Sequence, residues 1–484
     1  MSSYALAAAH LSLYLTGTFI SMFESFISAV NGIVWSPALV VLLVGAGLYF
    51  TVRTRFVQLR RFGLMVRSLF APAHKEEDGS KKGISSFEAF CVALSGRVGT
   101  GNIVGVATAI ALGGPGAVFW MWIIAFFGAS TAFVESTLAQ MFKFHHDTGY
   151  RGGPSCYIEK GLKCKWLAVL FSVLSLVGYG LLLSPVQSNG LTSALGNAFS
   201  FPPLACGLGL AFLLGLVIIG GIKSISRVAS IVTPFMALGY IVITCIVIAN
   251  HIEVVPGVLK AIVTNAFGIQ PVAGGILGST IMMGVKRGIF SNEAGQGGGA
   301  IVSASASVSH PAKQGLAQAF SVYVDTLLIC TATALMILCS GNYNVLDAKT
   351  GEVLVANAPE LGANYVGYTQ AAVDSVVSGF GSAFVGIALL FFAFTTIMAY
   401  YFYGESSIIY LCSGKGGAAK GEKVLIWLYR IALLGMVVFG SLKEAGVIWQ
   451  MGDIGVGLTA WINVIALIVL CPMAIRALKE YEKS

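Results

Sequence analysis

The chain has 484 residues, of which 56% are hydrophobic and only 10% are charged, and its formal net charge is +8. A soluble protein would carry about a quarter charged residues, so this composition excludes an ordinary soluble fold. It predicts an all-α polytopic membrane protein. The positive charge is explained by membrane orientation, described below, and gives no reason to expect a nucleic-acid partner.

The first predicted elements are an apolar N-terminal segment and a series of membrane spans. Residues 1–33 lack the basic residues that open a signal peptide, so we expect an interfacial helix, with a further span as the alternative. A span needs about 20 apolar residues to cross a hydrocarbon core of about 30 Å. Stretches that meet this requirement predict about eleven transmembrane helices, at 34–53, 88–111, 115–142, 166–187, 203–222, 228–249, 271–291, 317–340, 378–403, 424–441 and 453–474.

Basic residues are concentrated on alternate loops. The segment after the first span, 54–87, is rich in Lys and Arg, whereas the loops on the opposite side hold only Lys260, Lys349 and Lys443. Because cytoplasmic loops are the basic ones, we predict an N-terminus outside and a C-terminus in the cytoplasm. We expect a multi-pass protein of the cell inner membrane, with the lipid bilayer as a partner.

Two of the predicted spans contain glycine-rich polar breaks, at 95–102 and 284–295. Unwound backbone at membrane depth is tolerated only where it is buried in protein or lines a cavity. Two such breaks in comparable places of two half-molecules indicate the binding site of a transporter. The spans would then form one leading helix and two inverted sets of five. The chain would consist of an interfacial segment (1–33), a first span with its basic cytoplasmic loop (34–87), two repeats (88–250 and 251–475) and a cytoplasmic tail (476–484).

The first break contains Gly99, Thr100, Gly101 and Asn102. A half-helix that begins after an unwound turn exposes backbone N–H groups and partial positive charge, which suit a carboxylate. Glycine-rich helix packing is the alternative interpretation. A dinucleotide fingerprint is excluded, because the glycine spacing differs and no strand precedes the segment. Walker-type phosphate-binding and zinc-protease motifs do not occur in the sequence, so neither ATP-driven transport nor zinc proteolysis is supported.

The second break carries Lys286, Arg287 and Glu293, which are costly in a span unless paired or hydrated. We expect Glu293 to pair with one of the two bases; alternatively, both bases reach the cytoplasmic headgroups. Just ahead, Met283 and Gly284 are favoured as ligand contacts, because a glycine there would leave backbone accessible.

A cation site is suggested by Thr395 and Thr396 in the ninth predicted span. Their hydroxyls and the carbonyl of Phe392 would supply three oxygen ligands, and carbonyls of the unwound segment 95–98 would supply two more. The alternative is that both threonines bond to carbonyls of their own helix, as paired threonines in membrane helices usually do.

Three segments, at 99–109, 113–122 and 284–295, closely resemble the alanine or glycine:cation symporter family. The resemblance covers nearly the whole chain. It implies a LeuT-like fold, in which two inverted five-helix repeats with discontinuous helices follow an extra N-terminal helix. It also implies uptake of small neutral amino acids, mainly alanine and glycine, by symport with Na⁺ or with H⁺. We expect the protein to function as a monomer, by alternating access, and not as an enzyme.

The resemblance also implies roles for individual residues. The substrate carboxylate would bind at the first break, which contains Gly99, Thr100, Gly101 and Asn102. The family's span-four glutamine corresponds to Gln187, and span seven would form the pocket floor with Met283 and Gly284. By analogy with the LeuT-like fold, sodium would bind two carbonyls of the break and three groups of span nine: Ser95, Val98, Phe392, Thr395 and Thr396.

Two residues depart from the family pattern. Met283 replaces a Trp found in some relatives, and its slimmer side chain leaves larger substrates such as glutamine or serine open. Arg97 replaces a small residue and needs a partner or water. We considered a substrate contact, a tethered positive charge or a water-filled vestibule for it, with three candidate counter-charges, Glu135, Asp325 and Asp453.

Two other function classes are less consistent with the sequence. An ion channel is the more distant alternative, since channels usually build their selectivity elements from several subunits. An intramembrane enzyme would need a nucleophile and a base, and no such pair accompanies Lys286 and Glu293.

Overall fold

The computed structural model of the protein describes residues 22–72, 83–268, 277–413 and 419–483, and most of them are helical. The helices of the first half of the chain are α1 22–34, α2 Pro37–Arg53, α3 Val57–Arg60, α4 Phe62–Leu69, α5 Ser86–Arg97, α6 Val104–Gly113, α7 Gly116–Met141, α8 Pro154–Gly161, α9 Lys165–Val177, α10 Ser184–Phe199, α11 Pro203–Ile218 and α12 Gly221–Asn250.

The helices of the second half are α13 Val255–Ala266, α14 Leu277–Asn292, α15 Gly298–Ala304, α16 Pro311–Val322, α17 Thr331–Ser340, α18 Tyr365–Asp374, α19 Gly381–Cys412, α20 Ala419–Leu442 and α21 Ala445–Lys483. Short 3₁₀ turns occupy Thr100–Asn102 and Pro359–Leu361, and π-helical segments join α9 to α10 and α16 to α17 over Gly178–Leu183 and Tyr323–Cys330.

Within the described residues, eight helices are long and apolar enough to cross a membrane, and the bent pair of α5 and α6 would make a ninth. Two of the eleven predicted spans fall short of that length, since α11 and α14 have 16 residues each. Part of the predicted N-terminal interfacial segment lies outside the described residues. The remainder, α1, continues into α2 as one apolar helical stretch, Met22–Arg53.

The first predicted break is a real interruption, and the sequence explains its start and its end. Ser85 and Glu88 form a reciprocal capping box at the beginning of α5, so the half-helix starts at a defined residue. Gly99 is extended, and the axis of α6 is bent by 59° from that of α5. The prediction of a discontinuous helix here is confirmed.

The second break is shorter than predicted and lies further along the chain. Helix α14 is continuous through Gly284 and ends at Asn292, and α15 begins at Gly298. The turn between them has positive φ at Glu293, Gly295 and Gly297. This backbone region favours glycine, so the two glycines allow the turn, whereas Glu293 is held in it by its surroundings.

A small motif occurs twice in the chain. After α7, the hairpin of β1 (Phe144–His146) and β2 (Gly149–Arg151) precedes the short helix α8. After α17, the hairpin of β3 (Asn344–Leu346) and β4 (Val353–Ala356) precedes the short helix α18. Each motif therefore connects two helical stretches by an antiparallel hairpin and a short helix.

Large apolar side chains remain exposed on helices at the rim of the bundle. Phe212 of α11, Phe235 of α12 and Ile431 of α20 are each about two-thirds exposed. In an aqueous protein such surfaces would promote aggregation, but they are the expected faces of helices in contact with lipid. By contrast, α5 and α6 are almost fully buried at the centre of the molecule, which places the first break away from lipid.

Candidate functional site

Two carbonyls of the first break converge on one hydroxyl of α19. The Thr396 Oγ1 lies 2.8 Å from the carbonyl oxygen of Ser95 and 3.2 Å from that of Val98. Ser95 lies in the last turn of α5 and Val98 is its C-cap, where the helix no longer supplies N–H partners to carbonyls. The three oxygens therefore form a buried group of neutral oxygen atoms at the first break.

The other two predicted cation ligands, Phe392 and Thr395, lie in the same helix as Thr396 but form hydrogen bonds within that helix. The Thr395 hydroxyl donates to the carbonyl oxygens of Phe391, at 2.9 Å, and of Phe392, at 3.2 Å. Thr395 therefore makes the bonds within its own helix that were considered as the alternative, whereas Thr396 reaches across to α5. Among the described residues, no three His, Cys, Asp or Glu side chains are grouped as a metal site.

The N-terminal end of the second half-helix contacts Gln187. The backbone N–H of Thr100 lies 2.9 Å from Gln187 Oε1, and the Thr100 hydroxyl lies 3.0 Å from the same oxygen. Asn102 closes the turn, since its Oδ1 accepts a hydrogen bond from the Gly99 N–H at 2.9 Å. The structure thus brings together the polar groups that the sequence predicts as contacts of a substrate carboxylate. One of them, the Thr100 N–H, donates a hydrogen bond to the amide oxygen of Gln187.

Met283 lines a cavity of about 400 Å³. Other lining residues include Val104, Thr108, Gly190, Arg287 and Trp449. A Cβ atom on Gly190 would lie 2.7 Å from Thr100 Cγ2, so this cavity reaches the residues around the first break.

The sequence predicts an accessible backbone at Gly284, but this glycine does not face the cavity. It lies inside α14, and a Cβ atom there would be 2.5 Å from both the carbonyl oxygen of Ala117 and Trp120 Cβ. The absence of a side chain at Gly284 therefore allows α14 and α7 to approach closely.

The bases of α14 pair with α21. Lys286 Nζ lies 2.7 Å from Asp453 Oδ2, and Arg287 Nη2 lies 2.7 Å from each carboxylate oxygen of Asp453. The predicted pairing of Glu293 with one of these bases is wrong, since both bases pair with Asp453. We call Lys286, Arg287 and Asp453 the Asp453 cluster; the three residues line one side of the cavity.

Aromatic rings extend the Asp453 cluster toward the first break. Arg287 lies over the ring of Trp449, with 5.0 Å between its guanidinium carbon and the ring centre. The Trp449 and Phe290 ring centres are 5.1 Å apart, and a Cβ atom on Gly101 would lie 3.1 Å from Phe290. Gly101 is therefore covered by an aromatic side chain.

Arg97 holds the two breaks together. Its Nε donates to the carbonyl oxygen of Asn292 at 2.6 Å, and its Nη1 donates to Gln318 Oε1 at 2.9 Å and to the Ser321 hydroxyl. Arg97 is buried, and among the described residues no carboxylate forms an ion pair with it. Of the three candidate counter-charges, Asp453 pairs instead with Lys286 and Arg287, and burial at 2% exposure does not fit a water-filled vestibule.

Asp325 was considered only as a counter-charge, and its structural role was missed. One carboxylate oxygen accepts from Asn102 Nδ2 at 2.7 Å, and the other accepts from the Ser291 hydroxyl at 2.9 Å. Asp325 thus connects the first break to the end of α14 from within a π-helical segment, a feature that is frequent at functional sites. The signal available in the sequence was an acidic residue inside a predicted span.

A second charged group, which we call the Glu405 cluster, lies beyond the breaks. Arg151, at the end of β2, donates from Nη2 to Glu405 Oε2 at 3.2 Å, and the Tyr401 hydroxyl donates to Glu405 Oε1 at 2.6 Å. Arg430 donates from Nε to the Tyr401 oxygen at 2.8 Å. These bonds join the β1–β2 hairpin to α19 and α20.

Comparison with known proteins gives a consistent result. The family model described as the sodium:alanine symporter family matches residues 20–484. A putative sodium/proton-dependent alanine carrier protein, YrbD of Bacillus subtilis, is 49% identical, and the match covers 95% of this chain and 92% of the relative. A probable sodium/glutamine symporter of the same organism, GlnT, is 43% identical over 95% of this chain and 91% of its own length. The sodium/alanine symporter AgcS of Methanococcus maripaludis is 35% identical over 95% and 98%. The chain belongs to the sodium:alanine symporter family.

Proposed function

We propose that the protein imports a small neutral amino acid, alanine in the first place, by symport with Na⁺. The observation that carries this proposal is the dual use of the first break. The carbonyls of Ser95 and Val98 face Thr396, and a few residues later the N–H of Thr100 faces Gln187. A cation and a carboxylate would therefore bind to opposite ends of the same unwound segment.

The mechanism that follows is alternating access with cation-assisted binding. Sodium would order the carbonyls at the end of α5, and the ordered turn would present its N–H groups to the substrate carboxylate, displacing the Gln187 amide oxygen. An inward membrane potential adds roughly 2.3 kcal/mol per charge per 100 mV, which favours accumulation of the amino acid. The cavity beside the Asp453 cluster would be the route from outside, and the Glu405 cluster would close the cytoplasmic side.

The proposed topology has eleven spans in a LeuT-like arrangement of two inverted repeats. The eight long helices, the bent pair of α5 and α6, the shorter α11 and the broken pair of α14 and α15 together make eleven. The repeated unit of hairpin and short helix supports the division at 88–250 and 251–475. With an odd number of spans, the N-terminus would lie outside and the C-terminus in the cytoplasm of the inner membrane. We propose a monomer, since both breaks belong to one chain.

Alanine is preferred as substrate because relatives with that name match this chain over nearly its whole length. Glutamine is the second candidate, favoured by one relative's name and by a cavity of about 400 Å³ that leaves space beside Met283. The oxygen ligands around Thr396 suit Na⁺, whereas a proton would need a titratable group, and none is part of that set.

The test is uptake of labelled alanine and labelled glutamine into proteoliposomes with and without an inward sodium gradient. We expect sodium-dependent alanine uptake that falls at least tenfold in Thr396→Ala. The variant removes the hydroxyl that lies beside the carbonyls of Ser95 and Val98 and would bind sodium together with them. Thr244→Ala is the matched control: Thr244 is a buried threonine that bonds to the carbonyl of Tyr240 in its own helix, at 2.9 Å. Uptake that is indifferent to sodium would refute the coupling, and preference for glutamine would reassign the substrate.

A further inference from the structure

The turn between α14 and α15 contains a group of buried polar atoms that the proposed sodium and substrate sites do not use. Glu293 is 1% exposed and sits at φ +54, which is uncommon for a residue other than glycine. Its Oε2 accepts from the Tyr403 hydroxyl at 3.1 Å, while its Oε1 has no hydrogen-bond partner. A strained, buried carboxylate with a free oxygen needs a physical explanation.

A second carboxylate faces the same turn from α7. Glu135 is fully buried, its Oε2 accepts from Asn463 Nδ2 at 3.2 Å, and backbone N–H groups of Gly295 and Gly297 in the turn face its carboxylate. Asn463 also donates to the carbonyl oxygen of Gly295, at 3.0 Å. Glu135 is thus connected to the turn that holds Glu293.

Other buried polar atoms lie near this turn, and one of them also lacks a partner. A Cβ atom on Gly298 would lie 2.8 Å from Glu293 Oε2 and 3.0 Å from the Tyr179 hydroxyl. Arg97 Nη2 is also unpartnered, and a Cβ atom on Gly299 would lie 2.5 Å from it. The unpartnered atoms therefore include a hydrogen-bond donor together with a carboxylate oxygen.

The charges around Glu293 do not balance if every group is ionised. The titratable and charged side chains that act on Glu293 or on Glu135 from neighbouring elements are Arg97, Tyr157, Tyr179, Asp325, Tyr400 and Tyr403. Three carboxylates thus surround a single guanidinium, which pairs with none of them in the described part of the chain. Burial of unpaired charge is strongly unfavourable, so the excess negative charge has to be neutralised.

The chemistry of the surroundings favours a proton over a second metal cation. Sodium needs several oxygen ligands around it, whereas the Arg97 guanidinium and the Tyr403 hydroxyl present hydrogens toward this turn. A carboxylic acid fits such a site, since it donates one hydrogen bond and accepts others. The proton comes from hydronium in the solution: a lone pair of a carboxylate oxygen takes the proton, and the electrons of the broken O–H bond stay with the water that is left. Release of the proton to water reverses that step.

We propose that Glu293 and Glu135 form a proton-binding site in the turn between α14 and α15, separate from the Thr396 cation site, and that this site exchanges a proton with solution during each transport cycle. Arg97 bonds to the Asn292 carbonyl just before the turn, so opening of the turn would free the guanidinium to pair with a carboxylate and expel the proton. This inference rests on the proposed transport function.

The test uses the full chain in proteoliposomes with a trapped pH indicator, a clamped membrane potential and a sodium gradient. We expect alanine uptake by the wild-type protein to change the lumenal pH by a fixed number of protons per alanine. Glu293→Gln should abolish that pH change while retaining sodium-dependent stabilisation by alanine in a thermal shift assay. Glu135→Gln should reduce it.

The matched control is Glu159→Gln. Glu159 also accepts a hydrogen bond from a tyrosine, Tyr410, at 2.7 Å, but its side chain is 32% exposed. This variant should retain the wild-type proton count. Wild-type uptake without any pH change, or an unchanged count in both Glu293→Gln and Glu135→Gln, would overturn the proton site. The wild-type measurement decides if the variants do not fold, and absence of sodium-dependent uptake would instead overturn the transport function on which the site rests.

Discussion

Gly99 lies between the two halves of the candidate site. A Cβ atom added there would be 2.5 Å from Gln187 Oε1 and 2.7 Å from Thr396 Oγ1. The first atom faces the Thr100 N–H and the second faces the carbonyls of Ser95 and Val98. The absence of a side chain at this position therefore lets the two groups of polar atoms share one turn.

Replacement of Gly99 by alanine should weaken the binding of the amino acid and of sodium at the same time. Overpacking of a filled site costs typically about 1–3 kcal/mol, which corresponds to roughly fivefold to 150-fold weaker binding. The measurement is binding of alanine, and separately of sodium, to the purified protein by thermal shift or calorimetry. Gly196→Ala is the control, because nothing lies within 4 Å of a Cβ atom there and alanine favours the helix. A Gly99→Ala protein that loses only one of the two ligands would contradict the shared turn.

At the scale of elements, the π-helical segment Tyr323–Cys330 joins the two breaks. It presents Asp325 to Asn102 on one side and to Ser291 on the other. Arg97 makes a parallel connection, from the end of α5 to the carbonyl at the end of α14. The broken helices are therefore held to one another by side chains, and they should move as a coupled pair.

Asp325→Leu should uncouple that pair. It leaves the buried donors of Asn102, Ser291 and Thr326 without their acceptor, and each hydrogen bond to a charged group contributes about 1.5–3 kcal/mol. We expect a lower melting temperature and loss of alanine binding, measured by differential scanning fluorimetry. Asp325→Asn keeps an acceptor of the same shape and should be affected less. Equal stability of Asp325→Leu and the wild-type protein would rule out the connecting role.

Sequence reasoning located the first break well and the second poorly, and the reason is physical. Glycines at 99 and 101 accompany an actual unwound turn, whereas Gly284 and Gly288 lie inside α14 and allow close packing on α7. The same residue type serves both purposes, so composition alone does not separate them. The contact of Arg97 with Asn292 and that of Asp453 with Arg287 could not be predicted either. In each case the two residues lie far apart in the chain, and only the packed helices bring them together.

At the scale of the whole molecule, the first break makes cation and substrate binding a single equilibrium. If sodium orders the turn on which alanine binds, the free energy of coupling is the same whichever ligand binds first. Sodium should therefore lower the dissociation constant of alanine by the same factor by which alanine lowers that of sodium. Coupling energies of this kind are typically about 1–3 kcal/mol, or roughly fivefold to 150-fold.

Calorimetric titrations of the purified protein measure both factors. Alanine is titrated at zero and at saturating sodium, and sodium is titrated at zero and at saturating alanine, with choline chloride keeping the ionic strength constant. Thr396→Ala should bring both factors toward one together, because the hydroxyl is the contact between α19 and the carbonyls of Ser95 and Val98. A variant that weakened sodium binding while leaving the coupling factor for alanine intact would place the cation elsewhere, since the turn would then be ordered without the oxygens that Thr396 joins.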